Sequence, residues 1–210
     1  MPTPHRLAAA LCTAGLLSAS GLAFAASDVV ISQIYGGGGN VYSADYVELF
    51  NRSSNPVDVS GWSVQYASAS GTGNFAGNGI STLSGTLQPG QYLLVRLATA
   101  SGGSALPAAD ATGTSNLALA NGKVVLANVA TGLACNGSST PCTPAQNAQI
   151  VDLVGYGTAN FKEGASTAPA ASATTALFRA AAGCTDTDNN GADFSTGAPA
   201  PRNSASPLNQ

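Results

Sequence analysis

The chain has 210 residues, but only 7 are Lys or Arg, 10 are Asp or Glu, and 1 is His. Charged residues make up 8% of the sequence, whereas an ordinary soluble domain contains about 25%. The formal net charge of −3 and the few, scattered cations argue against nucleic-acid binding, which requires clustered Lys and Arg to neutralise phosphates.

Residues 1–25 have the three-part pattern of a secretory signal peptide. A weakly basic start is followed by an apolar run at residues 7–17 and by an A-x-A cleavage motif at residues 23–25. The apolar run is too short to cross about 30 Å of hydrocarbon. We therefore predict cleavage after Ala25, a secreted or periplasmic product, and no membrane span in the remaining chain.

Removal of this segment would also remove His5, which is the one His of the chain. A Ser-His-Asp triad, a Cys-His pair and a His-ligated zinc site are then excluded by composition. We therefore predict that the protein is not an enzyme and that it needs no cofactor, with calcium as the one candidate exception.

The chain after residue 25 is a series of short apolar segments separated by Gly, Asn, Ser and Pro, with no long helical period. Trp62–Tyr66 alternates apolar and polar residues, as expected for a strand with one buried face. Asn121-Gly122 beside an apolar run is a hairpin signal. These features predict an all-β sandwich or barrel. The predicted strands are Val29–Tyr35, Tyr46–Phe50, Val57–Val59, Trp62–Tyr66, Tyr92–Leu97, Lys123–Ala127, Ile150–Tyr156 and Ala176–Arg179.

Two segments stand apart from these strands. Residues 98–120 are rich in Ala, Ser and Gly, and we expect them to extend from the sandwich as a long loop. Residues 198–210 are rich in Pro and Ser and have the composition of an extended tail or a truncated linker. The predicted domain therefore covers residues 26–197. The glycines at 36–39 lead into a strand and lack a Lys, which favours a flexible loop over a phosphate cradle.

Five segments between residues 30 and 157 carry recognisable motifs in a fixed order. They are VISQIY at 30–35, DYVELFN at 45–51, VDVSGW at 57–62, LQPGQYLLV at 87–95 and VDLVGYG at 151–157. This series resembles the lamin tail domain family, although Gln33 stands where an acidic residue is usual. The resemblance implies an immunoglobulin-like β-sandwich, and the glycine insert and the long Ala/Ser/Gly-rich loops are similar to the secreted bacterial branch.

The resemblance and the missing catalytic residues together predict a noncatalytic module for protein interaction, scaffolding or targeting outside the cytoplasm. Its partner would be a protein or a component of the cell surface. Lamin-tail-like domains of bacteria often precede secreted nucleases or other hydrolases. The alternative is therefore an accessory or targeting domain for an extracellular nuclease or hydrolase, stabilised by calcium.

Two side chains in the predicted strands have specific expected environments. We expect Trp62, the one Trp, to fill the core between two sheets. Glu48 lies between Val47 and Leu49 and so points to the opposite face of its strand. There it would either accept backbone hydrogen bonds at a corner or face water.

The cysteines fit an exported protein. Cys135 and Cys142 flank a turn-rich loop, and we expect a disulfide between them in an oxidising compartment. The sequence leaves the pairing of Cys184 open.

One loop has the chemistry of a cation site. Asp186, Asp188 and Asn190, followed by a glycine, match the first half of a calcium loop, D-x-[DN]-x-[DN]-G. Asp193 would close a looser site, because Gly197 replaces the bidentate Glu of a complete EF-hand. The alternative interpretation is a set of Asx turns that order the loop without a metal.

Overall fold

The computed structural model describes residues 27–209, so the predicted signal peptide and its cleavage site lie outside the described residues. The strands are β1 (Val29–Tyr35), β2 (Ala44–Asn51), β3 (Val57–Asp58), β4 (Ser63–Ala67), β5 (Ile80–Thr82), β6 (Thr86–Leu87), β7 (Tyr92–Thr99), β8 (Ala111–Thr112), β9 (Gly122–Ala127), β10 (Ile150–Tyr156), β11 (Ala176–Arg179) and β12 (Phe194–Gly197). The helices are α1 (Pro144–Asn147) and α2 (Asn190–Asp193), and 3₁₀ turns occur at Phe75–Asn78 and Ala181–Gly183.

The strands form two stacked sheets and one small ribbon. The larger sheet has the order β12-β11-β1-β2-β7-β8, and the smaller sheet has the order β10-β9-β4-β5. Strands β3 and β6 pair with each other. All neighbours are antiparallel except β7 and β8. This arrangement confirms the predicted all-β, immunoglobulin-like sandwich.

The main core lies between the two sheets and follows the alternation of each strand. On β2, Val47 and Leu49 point into this core, whereas Tyr46 and Phe50 belong to separate clusters on the outer face. On β1, a register shift between Ile31 and Gln33 lets Val29, Ile31 and Ile34 all point into this core. Val30 and Tyr35 of the same strand belong to the outer clusters. An extra residue of this kind leaves backbone groups without ladder partners.

Both sheets are also covered on their outer faces. No residue of β1, β2, β4 or β9 is exposed. On the smaller sheet, Phe75, Leu133 and Phe161 pack over the outward residues of β9 and β10. On the larger sheet, Leu106 packs near Tyr46 and Leu94.

Three local expectations were wrong. Residues 98–120 do not extend away, because β8 pairs with β7 and Leu117 enters the main core. Trp62 is only half-buried, since it precedes β4 and packs against the rim of the core. The glycine loop is held closely: the amide of Gly38 donates to Asp45 Oδ1 at 2.9 Å, and a Cβ on Gly37 would lie 2.7 Å from the Tyr35 ring. Across residues 27–209, no helix is both long enough and apolar enough to cross a membrane.

Candidate functional site

A buried arginine lies where the two sheets meet. The side chain of Arg179, at the end of β11, is 0% exposed. Its Nη2 donates to both oxygens of Asp152 on β10, at 2.9 and 2.7 Å. Its Nη1 lies 3.1 Å from Asp186 Oδ1 and 3.5 Å from Asp193 Oδ2. We refer to these four residues as the Arg179 clasp.

The clasp supplies hydrogen bonds that the register shift in β1 leaves unmade. Asp152 Oδ2 accepts the amide of Ile31 at 2.6 Å, and Arg179 Nε donates to the Ile31 carbonyl at 2.9 Å. One ion pair therefore caps both backbone groups of a buried residue, each of which would be costly without a partner. The clasp thereby fastens β10 of the smaller sheet to β1 of the larger sheet.

Glu163 and Asn190 cap backbone groups of β10, the edge strand of the smaller sheet, in the same way. The Leu153 amide donates to Glu163 Oε1 at 3.1 Å, and Asn190 Nδ2 donates to the Leu153 carbonyl at 2.8 Å. Asn190 Oδ1 accepts the Gly155 amide at 2.8 Å. Burial, reinforced by the charge of Asp152, raises the pKa of Glu163 well above its ordinary value.

These contacts show where the four predicted calcium ligands lie. Asp186 and Asp193 both face Arg179, and Asp193 also accepts the amide and hydroxyl of Thr187 at 2.9 and 2.7 Å. Asn190 is directed at β10 instead. Burial and the charges of Asp186 and Asp193 raise the pKa of Asp188. Within residues 27–209 no three His, Cys, Asp or Glu side chains are grouped to hold a metal.

The calcium site stays a prediction, although the donor set does not have the form of a cation cage. A calcium ion at this loop would have to displace Arg179 from Asp186 and Asp193. Thr187 and the Asp193 contacts instead resemble the turn-ordering alternative, in which Asp side chains bind nearby backbone amides.

A second ion pair fixes the C-terminal segment, residues 198–209, on the larger sheet. Glu48 is 0% exposed, and its carboxylate accepts Arg202 Nη2 at 2.7 Å and the Arg202 amide at 2.7 Å. The Arg202 guanidinium lies 3.7 Å from the centroid of the Tyr92 ring. Gln33 exchanges two hydrogen bonds of 3.0 Å with the backbone of Ala200. Of the two environments considered for Glu48, the structure shows the one with backbone donors.

An open groove lies at the other end of β2 and β7, and we call it the Arg96 groove. It has a cavity volume of about 380 Å³. Hydroxyls on its wall come from Ser43, Thr99 and Thr112, and apolar surface comes mainly from Leu106 and Pro107. The exposed side chain of Arg96 contributes the charge.

The Cys135–Cys142 disulfide is confirmed, with a Cα–Cα distance of 5.0 Å. It closes the loop that lies over the smaller sheet, and Cys184 is therefore not bonded to either of these residues. Beside this loop, Lys123 is fully buried and donates to the Asn136 carbonyl and Asn160 Oδ1, each at 2.9 Å. Burial lowers the pKa of Lys123.

The fold and its motifs define the class of protein, an immunoglobulin-like β-sandwich. The sequence pattern of the Lamin Tail Domain family matches residues 23–158, and the chain belongs to this family. Arg179, Asp186, Asp193 and Arg202 all follow the matched range. The C-terminal part of the chain therefore supplies the arginines that pair with Asp152 and Glu48 inside it.

Among solved structures, the chain is similar to a DUF4876 family protein from Bacteroides thetaiotaomicron. The TM-score is 0.54 with 13% sequence identity, over 87% of this chain and 74% of that chain. At this identity the likeness concerns the fold alone. The chain matches none of the curated proteins with which it was compared.

Proposed function

We propose that this protein is an exported, noncatalytic lamin tail module that binds a protein partner outside the cytoplasm. The family supplies the scaffold, and the disulfide supports an oxidising compartment. The predicted signal peptide supports export. The noncatalytic role is inferred from how the charged side chains are used.

The observation that carries the proposal is the use of the carboxylates within the fold. Glu48, Asp152 and Glu163 are each buried, and each accepts a backbone amide. Asp45 does the same for Gly38 and Leu117. Groups committed to backbone donors are poorly placed to exchange protons with a substrate. The Arg96 groove, by contrast, offers hydroxyls and one cation for recognition.

Site-specific photo-crosslinking tests the proposed binding in the native host. A photoreactive residue at Thr99 places the probe in the Arg96 groove, and one at Ser54 places it on the loop beyond the opposite end of β2. We expect a defined protein adduct at Thr99 and none at Ser54. Adducts of equal yield at both positions, or at neither, would contradict the proposal.

Compartment and catalysis need separate measurements on the same protein. We expect intact mass to give a chain beginning at Ala26 in the periplasmic or extracellular fraction. The purified protein should not hydrolyse nucleic acids or esters above the level of a mock preparation, with or without calcium. Calcium-dependent hydrolysis that purifies with the protein would establish the enzymatic alternative instead.

Thermal melting with calcium and with a chelator tests the predicted ion at Asp186–Asp193. A site that binds calcium in the folded state must raise the melting temperature as calcium is added. The Asp188→Ala variant is a suitable control, because it removes one predicted ligand and Asp188 has no ion pair with Arg179 in the clasp. Identical melting temperatures in calcium and chelator would refute the calcium hypothesis.

A further inference from the structure

Arg96 differs from the other arginines of residues 27–209 in having no partner. Arg52 and Arg179 pair with Asp186, and Arg202 pairs with Glu48. In the described part of the chain, the Arg96 guanidinium makes no hydrogen bond, ion pair or ring contact. A protein that otherwise engages its guanidinium groups thus leaves one exposed on the wall of a groove.

Strand pairing on both sides holds the main chain of Arg96 in place. Arg96 lies in β7 opposite Tyr46 of β2 and beside Thr112 of β8, so its main chain is held from both sides. Asp110, which directly precedes β8, forms no ion pair with Arg96, and its Oδ2 accepts the amides of Leu94 and Ser204 at 2.8 and 3.0 Å. The guanidinium is therefore presented from a rigid strand to the open groove.

The lining selects the class of ligand. One guanidinium offers a planar pair of N–H donors that matches a single carboxylate. The groove lining contains no Lys and no second Arg, so it suits one negative charge better than a phosphate group with two. Ser43, Thr99 and Thr112 add hydroxyl groups that can donate to or accept from amide groups next to that carboxylate.

The apolar part of the lining favours a peptide over an acidic sugar. Leu106 and Pro107 give an aliphatic wall, and no aromatic ring lines the groove as a platform for a sugar. The cavity volume of about 380 Å³ accommodates a few residues. We propose that the Arg96 groove binds the free C-terminal carboxylate of an extended partner peptide with a small or aliphatic last residue. This inference rests on the proposed function and specifies the partner chemistry.

Nuclear magnetic resonance titration of the ¹⁵N-labelled protein tests the proposal. The probes are N-acetyl-Ala-Gly-Ala-Leu with a free carboxylate and the same peptide as the C-terminal amide. We expect the free acid to give saturable shifts of the Arg96 Nε–Hε signal and of the Ser43 and Thr112 amides. We expect the amide to bind at least tenfold more weakly, because it lacks the charge that pairs with the guanidinium.

Matched variants separate this site from nonspecific attraction. Arg96→Met should abolish the saturable shifts, and Arg96→Lys should weaken them because it keeps the charge but loses the planar donors. Lys162→Met, which removes another cation without an acidic partner among residues 27–209, should bind as the wild type does. The Arg96 side chain makes no contact that folding needs, and the ¹⁵N spectrum of each variant verifies this.

Several outcomes would overturn the proposal. They are equal affinity for the acid and the amide, unchanged binding by Arg96→Met, or tighter binding of sodium glucuronate or inorganic phosphate than of the peptide acid. A specific crosslink at Thr99 together with failed peptide binding would refute the carboxylate assignment and leave the interaction module intact. Peptide binding without any protein crosslink in the host would refute the interaction module and leave the carboxylate assignment intact.

Discussion

Arg179 and Arg96 lie in the same sheet and have opposite environments. Arg179 closes the sandwich: its side chain is 0% exposed and three carboxylates and two backbone carbonyls surround it. Arg96 is exposed, and no residue of the described chain pairs with it. The comparison teaches that this protein uses one arginine inside for closure and leaves another outside, where we propose that it serves recognition.

The closure that Arg179 provides is specific rather than simply strong. Burying ions costs desolvation that their attraction only partly offsets, so a buried salt bridge is weak evidence for stability by itself. The reason for the clasp lies in the backbone of Ile31, whose amide and carbonyl both depend on it. Replacing both Asp152 and Arg179 with apolar residues would leave the amide and the carbonyl of Ile31 without partners.

The largest expected effect comes from exchanging Arg179 for Met. This change leaves Asp152 and Asp193 buried without their cation, while Asp186 keeps Arg52. We therefore expect a loss of about 3–5 kcal/mol in the free energy of unfolding. Urea denaturation measures it. The matched Arg96→Met variant should stay within about 0.5 kcal/mol of wild type, as surface substitutions do. Similar losses in both variants would remove the distinction between the two arginines.

Loss of the disulfide should come next in size. The Cys135→Ser/Cys142→Ser double variant frees a short closed loop, and loop-closure entropy gives a loss of about 2.5 kcal/mol. Urea denaturation of the double variant at the same pH checks the value. An unchanged midpoint would mean that contacts of the loop with the smaller sheet hold it without the covalent bond.

Arg202→Ala should cost somewhat less, about 2 kcal/mol. Glu48 then remains buried, but it keeps the Ser32 hydroxyl and the amide of residue 202 as donors. Hydrogen exchange is the direct measurement, because the Asn209 amide donates to the Gly90 carbonyl at 2.9 Å in the docked segment. We expect faster exchange there and unchanged exchange in β9. Uniform protection across both regions would show that the C-terminal segment is held independently of Arg202.

The smallest expected effect concerns how stability depends on pH. Because the pKa of Glu163 is raised in the folded state, the folded protein holds this proton more tightly than the unfolded chain does. Stability from this group is therefore full below the unfolded pKa and is lost as pH rises through the folded pKa. Glu163→Gln should flatten that decline.

For Glu163→Gln, the informative quantity is the slope of the unfolding free energy against pH, rather than its value at one pH. The Gln amide adds a donor opposite Asn190 Nδ2, which already donates to Glu163 at 3.1 Å, so some stability is lost at every pH. Unfolding free energies across the acidic and neutral range give the slope. A slope equal to that of wild type would contradict the raised pKa of Glu163.

The fold was predictable because its signals are local. Alternation on the strands, the turn residues and the ordered lamin-tail motifs placed the sandwich, and the spacing of Cys135 and Cys142 suggested their bond. Residue type and spacing along the chain are sufficient to predict such features. The errors at residues 98–120 arose because Leu117 and a two-residue strand give almost no periodic signal.

The charge networks were not predictable, since each joins residues far apart in the chain. Arg202 and Glu48 are 154 residues apart, and no local pattern relates them. Asp186 and Asp193 illustrate a different difficulty, because Arg179 precedes Asp186 by only 7 residues. Their spacing suggests a metal ion, but the cation in contact with them is the guanidinium of Arg179. A basic residue at the end of a strand shortly before an acidic loop is the signal that could have suggested this pairing.

The placement of the basic residues in the fold also affects the resistance of the protein to proteolysis. Enzymes that cut after Lys or Arg require an accessible, extended stretch of chain. Lys123 and Arg179 are buried in strands, and Arg96, although exposed, lies within β7. Cleavage of the folded domain is thereby confined to Arg52, Lys162 and Arg202, which lie outside the strands. For the exported module that we propose, the placement of these basic residues would also give resistance to digestion.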